Sequence, residues 1–175
     1  MQKANKKKYL LCCLFLTLVL VISCSENKKA LRVGDNLPTF VATILNGKQF
    51  SLDSHKGSPV VIRFFLLDCP YCKADTPIFN KFFADYGKAG LAMVYINNNG
   101  TDRHAVEKFV EELNIKFPVV YDPSGKLAKQ YNIKVQPLTL ILSPEHKLLA
   151  ALLGGVSGTE LQELLGTYLQ GQPLP

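Results

Sequence analysis

The chain is poor in the ligands a metal centre needs, with three histidines and five cysteines among 175 residues. His55, His104 and His146 are scattered, and the pair Cys69–Cys72 has no second cysteine pair or histidine pair to complete it. A zinc site wants two further ligands at suitable spacing, so neither a metal nor a cofactor is expected. Basic surface is scarce as well. The formal charge is +6, but four of the twenty basic residues, Lys3, Lys6, Lys7 and Lys8, lie at the very start. From residue 24 onward 16 Lys and Arg face 14 Asp and Glu. No basic stripe interleaved with aromatics remains, which excludes a nucleic-acid partner. Internal repeats and the marks of a second domain are missing too. What is present, 47% apolar and 19% charged residues, is the composition of one globular domain.

The start of the chain is an address. The four lysines precede an uncharged, mostly apolar run of fourteen residues, 9–22. A helix needs about 20 residues to cross the hydrocarbon core, so this run is short for a permanent anchor. It has no polar face, which argues against a helix of the domain core. A positive start, a short apolar stretch and small residues make the layout of a secretory signal. Val21-Ile22-Ser23-Cys24 resembles the lipobox of bacterial lipoproteins. That resemblance implies that Cys24 becomes the lipid-bearing first residue of the mature chain, with enough acyl chains for stable anchoring. An ordinary cleaved signal is the alternative. Ser25, where an Asp resembles an inner-membrane retention signal, leaves the choice of membrane open.

With Cys12 and Cys13 in the signal and Cys24 carrying lipid, Cys69 and Cys72 are the thiols of the mature domain. Exported proteins commonly use cysteines as staples, but two cysteines three apart close too small a loop for that. They stand at a junction. Residues 59–67 form a near-continuous apolar run, as expected of a strand buried on both faces. After the cysteines, Ile78, Phe79, Phe82, Phe83 and Tyr86 fall at helical spacing and form one core face. The first thiol therefore sits at a helix N-terminus, where unpaired N–H groups and the helix dipole favour a thiolate. Thiols so placed titrate well below about 8.5. Pro70 suits the first turn, where its missing N–H costs nothing. Cys69 is expected to be the exposed nucleophile, and the shielded Cys72 to resolve the mixed disulfide.

The rest of the mature chain alternates strand and helix. A tether over residues 24–32 leads to a domain over 33–170 and a tail over 171–175, after a signal over 1–23. Strand-like runs 39–45 and 48–52 flank Asn46-Gly47, a strong hairpin signal. Residues 91–96 read as a strand, and Ala105, Phe109, Val110 and Leu113 as the buried stripe of a helix. A short strand over 118–121 and a short helix over 124–131 follow. Residues 138–142 and 147–153 look like antiparallel strands around Ser143-Pro144. Ser157 and Glu160 form a capping box for a last helix carrying Leu161, Leu164, Leu165 and Tyr168.

These features resemble the thioredoxin superfamily, and within it the TlpA/ResA-like, AhpC/TSA-related branch of membrane-anchored thiol–disulfide oxidoreductases, which includes cytochrome c-maturation reductases. Val33-Gly34-Asp35 before Pro38-Thr39-Phe40 matches the opening of that branch, and Asn46-Gly47 its hairpin. Pro77 matches the family's helix-kink proline, and Pro137 the cis-proline that faces the disulfide and presents backbone to an incoming chain. The resemblance implies an α/β thioredoxin-like fold, a central mixed β-sheet flanked by helices, with an N-terminal β-hairpin extension. It implies a redox-active Cys69–Cys72 pair working on client proteins outside the cytoplasmic membrane. Reduction is the expected direction, in cytochrome c maturation or envelope redox homeostasis, with a membrane electron donor or acceptor as partner. A monomer is expected. Asp75, three after Cys72, stands where the cytochrome c-maturation proteins carry a buried Glu, which implies a proton-handling partner for the second thiol. An ordinary first-turn acid stabilised by the dipole is the other reading.

Three residues depart from the family pattern. Asp68 replaces the usual Trp beside the nucleophile, and Gln136 a small or β-branched residue before Pro137. Arg63 stands six before Cys69, where a polar or acidic residue is usual; buried, it would need Asp68 or Asp75 as partner. The pair Pro70-Tyr71 also occurs in glutaredoxins, whose shorter chain lacks the hairpin. A peroxiredoxin-like peroxidase would need Thr where Leu66 stands, three before its cysteine. A copper-delivery module of the same fold would need three residues between the cysteines and a ligating His. A redox-dead client-binding module would not keep Cys69, Cys72 and Pro137 together.

Overall fold

The computed structural model describes residues 30–100 and 102–169. The signal over 1–23, Cys24, most of the tether and the tail lie outside the described residues.

The apolar runs become the centre of a five-stranded sheet. β3 (Val60–Phe65) and β4 (Ala92–Asn97) are buried along their whole length, as strands covered on both faces must be. β5 (Val119–Tyr121) lies parallel beyond β4, while β6 (Leu138–Leu142) and β7 (Leu148–Leu153) extend the other side antiparallel. The order is β5-β4-β3-β6-β7. A separate hairpin, β1 (Val41–Thr43) with β2 (Gln49–Ser51), precedes it. Its loop differs from a two-residue turn. Gly47 has φ 84° and Asn46 has no positive φ, and the Gly47 N–H donates to the Ile44 carbonyl. The turn is therefore a three-residue loop, Leu45-Asn46-Gly47, with glycine supplying the left-handed residue.

Side chains alternate between two layers. Val61, Phe65, Met93, Tyr95 and Ile141 face one apolar cluster; Val60, Ile62, Phe64, Val94 and Leu140 face the other. The first is covered by α1 (Pro70–Tyr86), α2 (Arg103–Glu112) and α4 (Gly158–Leu169). The second is covered by the hairpin, through Phe40 and Phe50, and by α3 (Lys126–Gln130). Pro77 lies inside α1 and withholds the N–H that the Lys73 carbonyl would otherwise accept, the physical cause of the expected kink.

Two helix faces are rotated from the expected ones. In α2 the buried residues are Val106 and Phe109, not Ala105. In α4 Leu161, Leu165 and Leu169 are buried while Tyr168 is exposed, because the buried stripe runs at a spacing of four and leaves position 168 on its flank. The capping box forms as expected: Ser157 N–H donates to the Glu160 carboxylate at 2.8 Å, and Glu160 N–H to Ser157 Oγ at 3.2 Å.

Candidate redox site

The redox pair is built by the passage from β3 into α1. Cys69 is the N-cap of α1 in an extended conformation, and its Sγ accepts the Cys72 N–H at 3.2 Å. Pro70 occupies the first turn, where no partner for its nitrogen is needed. Both thiols are free. Cys69 is not the open nucleophile that the spacing predicted: only 8% of it is accessible, against none of Cys72. The order of exposure nevertheless holds. Leu66 and Leu67 lead into the cap and pack against the apolar cluster to which both cysteines belong. Burial, together with the adjacent Cys69 sulfur, pushes the Cys72 thiol up to about 12, while a hydrogen bond with the Leu66 backbone and, after it, the Arg63 guanidinium pull the other way. A thiol buried in this way keeps its proton until something assists its release.

Arg63 is fully buried at the centre of the sheet. Its neighbours in register are Tyr95 on β4 and Thr139 on β6, so a polar row crosses the sheet under α1. Nη1 donates to Thr139 Oγ1 at 2.6 Å and Nη2 to Asp75 Oδ2 at 2.8 Å. The guanidinium carbon lies 5.0 Å from the Phe79 ring centroid, a cation–π contact. Asp75 is thus the partner that Arg63 requires; Asp68 is exposed. The same Asp75 oxygen accepts the Val156 N–H at 2.9 Å. Gly155 closes over it so tightly that a Cβ there would lie 3.3 Å from Tyr71 and 3.8 Å from Asp75 Oδ1. Thr76 donates to the Cys72 carbonyl at 2.6 Å and its hydroxyl is 3.5 Å from that of Tyr95. Tyr95 is held well above the ordinary tyrosine range by burial.

Pro137 precedes β6, and pairing of Phe64 with Leu138 brings it to the sheet end from which Cys69 departs. The Gln136–Pro137 bond is cis, and the Pro137 carbonyl accepts the Gly154 N–H at 2.9 Å. Gln136 reaches sideways, donating to Asn98 Oδ1 at 2.8 Å. Thr139, Tyr95, Thr76 and Val156 were not singled out from the sequence. The β6 register that makes Thr139 a neighbour of Arg63 could have been found only after strand order was known. A cleft of about 920 Å³, lined by residues such as Asn98, Pro123, Gly125 and Asn132, contains neither cysteine.

Residues 33–151 match the model of the AhpC/TSA family. The chain belongs to that family. A thiol–disulfide oxidoreductase ResA of Bacillus thuringiensis subsp. konkukian is 27% identical over 163 residues, covering 87% of this chain and 94% of that protein. A secreted Mycobacterium tuberculosis disulfide oxidoreductase, homologous to DsbE, superposes with TM-score 0.65 at 26% identity. That match covers 73% of this chain and 95% of the other. StoA from Bacillus subtilis superposes with TM-score 0.64 at 25% identity, over 73% of this chain and 96% of its own. Within the AhpC/TSA family the chain is therefore a thiol–disulfide oxidoreductase of the extracytoplasmic ResA/DsbE type, with thioredoxin-like fold and a Cys69–Cys72 pair.

Proposed function

We propose that the chain reduces disulfides of client proteins at the outer face of a bacterial membrane, to which the lipid on Cys24 holds it. The observation that carries this reading is the unequal burial of two sulfurs on one helix turn. Cys69 attacks the client disulfide, forming a mixed disulfide and releasing one client thiolate. Cys72 then loses its proton and attacks Cys69 Sγ, forming the Cys69–Cys72 disulfide and releasing the second client thiolate, which takes up a proton. Two electrons and two protons pass from the pair to the client. A dithiol donor in the membrane restores the pair. Pro137 offers its backbone edge to the client beside Cys69, and Asp75 acts beneath Cys72 through its ion pair with Arg63.

Direction follows from how the reduced state is held. An oxidant such as DsbA owes its high potential to a stabilised reduced form. Here burial keeps Cys72 protonated and gives its thiolate little stabilisation. A client reductase requires a potential near that of thioredoxin, about −270 mV, and far from DsbA at about −120 mV. Equilibration with glutathione or dithiothreitol measures it. Cys72→Ser should accumulate client adducts through Cys69, and Cys69→Ser none, on non-reducing gels; adducts through Cys72 would reverse the assignment. For the anchor, Cys24→Ala should remain unprocessed or leave the membrane. A mature-sized variant retained normally would remove the lipid from the proposal.

A further inference from the structure

Arg63 is a buried cation at the heart of a site whose chemistry is the release of a proton from a buried thiol. We propose that Arg63 is a positioning residue of the redox reaction: its guanidinium, fixed by Asp75 and Thr139 beneath the first turns of α1, supplies the positive potential that stabilises the Cys72 thiolate as the mixed disulfide resolves. This deepens the function proposed above and rests on it.

The geometry leaves few other sources of that potential. Arg63 projects from β3 to the α1 side of the sheet, where it meets Asp75 and Phe79, three and seven residues after Cys72. Around Cys72, α1 contributes Asp75 and the Cys69 sulfur, β4 contributes Tyr95, and β6 contributes the uncharged Thr139. The loop over residues 154–156 brings a carbonyl and an N–H, without charge. Burial holds Tyr95 neutral. The Leu66 backbone and this cation therefore favour the Cys72 thiolate, and Arg63 is the charged member of the two. Asp75 is occupied elsewhere. Its Oδ2 accepts from both Arg63 Nη2 and the Val156 N–H. Arg63 Nε has no hydrogen-bond partner among the described residues. A guanidinium held there at the cost of an unpaired donor is poorly explained by stability alone. In the resolving step the proton leaves Cys72 for the departing client thiolate, the Cys72–Cys69 bond forms as the Cys69–client bond breaks, and Arg63 changes neither charge nor partner.

The test uses the full mature chain in detergent, with Cys69 loaded as a mixed disulfide with a chromophoric aromatic thiol. Release of the coloured thiolate reports attack by Cys72. An opposite charge a few ångströms away moves a thiol by about 1–3 pH units, partly offset by nucleophilicity, so Arg63→Met should slow release at neutral pH on the order of tenfold. The deficit should be recovered as pH rises, and Arg63→Lys should restore most of the rate. Asp75→Asn keeps an amide oxygen to hold Arg63 Nη2 but removes the negative charge, so its release should quicken. Should Arg63→Met fail to fold, the neutral pair Arg63→Met/Asp75→Asn replaces it, with the same slow release expected. Wild-type rates in either Arg63→Met protein would overturn the proposal. So would slow release in Asp75→Asn, which would give the proton to that carboxylate. A wild-type chain that releases no thiol at any pH would instead overturn the oxidoreductase reading.

Discussion

Cys69 and Cys72 differ by one helical turn and by what surrounds them, and in the mechanism we propose that difference divides the labour between them. The first accepts a backbone N–H at the helix start; the second is sealed beneath it. Both placements were legible from the sequence, since an apolar run, a Cys-x-x-Cys and a helical stripe leave little choice of geometry. That Arg63 would need a carboxylate was legible too. Which carboxylate was not, because Asp68 and Asp75 are both near in sequence and only the turn of α1 orients one inward. Thr139 was invisible for the same reason at longer range: it meets Arg63 across 76 positions of chain. Its hydroxyl is an anchor for a charged donor, so Thr139→Val, which keeps shape and β-branching, should leave Nη1 unpaired. Loss of such a partner costs about 1–3 kcal/mol. Urea unfolding measures it; a change below about 0.5 kcal/mol, the scale of an ordinary surface substitution, would show that the guanidinium finds another partner.

At the scale of elements, the sequence signals that succeeded were those with a local mechanism. The Ser157–Glu160 box closes as its spacing requires, and Pro70 opens α1. The signals that slipped were those that needed a neighbour. Ala105 and Tyr168 fit a helical period, but the period alone does not say which side the sheet lies on. Val106 and Leu169 take the buried places because α2 and α4 cover the same cluster as α1. Asp122 is a cap that the sequence hid. Its carboxylate accepts the Lys126 and Leu127 N–H groups at 3.0 and 2.8 Å and the Ser124 hydroxyl at 3.1 Å. The usual position for such a cap is immediately before the helix; Asp122 reaches it from four residues upstream, across a turn that Gly125 makes with φ 64°. It is buried for structural reasons and holds α3 over the second cluster, leaving the redox end of the sheet to α1.

The whole molecule has two ends, and a second titrating group lies at the end away from the sulfurs. His55 stacks on Phe50 at 4.9 Å, where the hairpin unit meets the turn between β6 and β7. In that turn His146 is buried at 4% exposure, with φ 62° and with no hydrogen-bond partner for Nε2 among the described residues. Its backbone carbonyl accepts the Leu37 N–H at 3.1 Å, tying the start of the domain to the sheet. Burial first, and the nearby His146 second, hold His55 below its ordinary value of 6.5. The folded chain therefore binds fewer protons there than the unfolded chain, and stability rises with pH in that window. The contribution is complete above about 6.5 and is lost as pH falls through the lower folded value. Two exposed carboxylates extend the trend. Asp53 is held below its usual range by Thr39 and Glu145 by Ser143, so their share is lost only as pH falls below about 4. The urea midpoint should therefore decline in two steps, and His55→Gln should flatten the first while leaving the second. Thiol release from the Cys69 adduct, governed at the other end of the sheet, should not follow the first step. A wild-type midpoint unchanged between about pH 7 and pH 5, across the ordinary histidine value, would show that His55 is not held neutral by the fold.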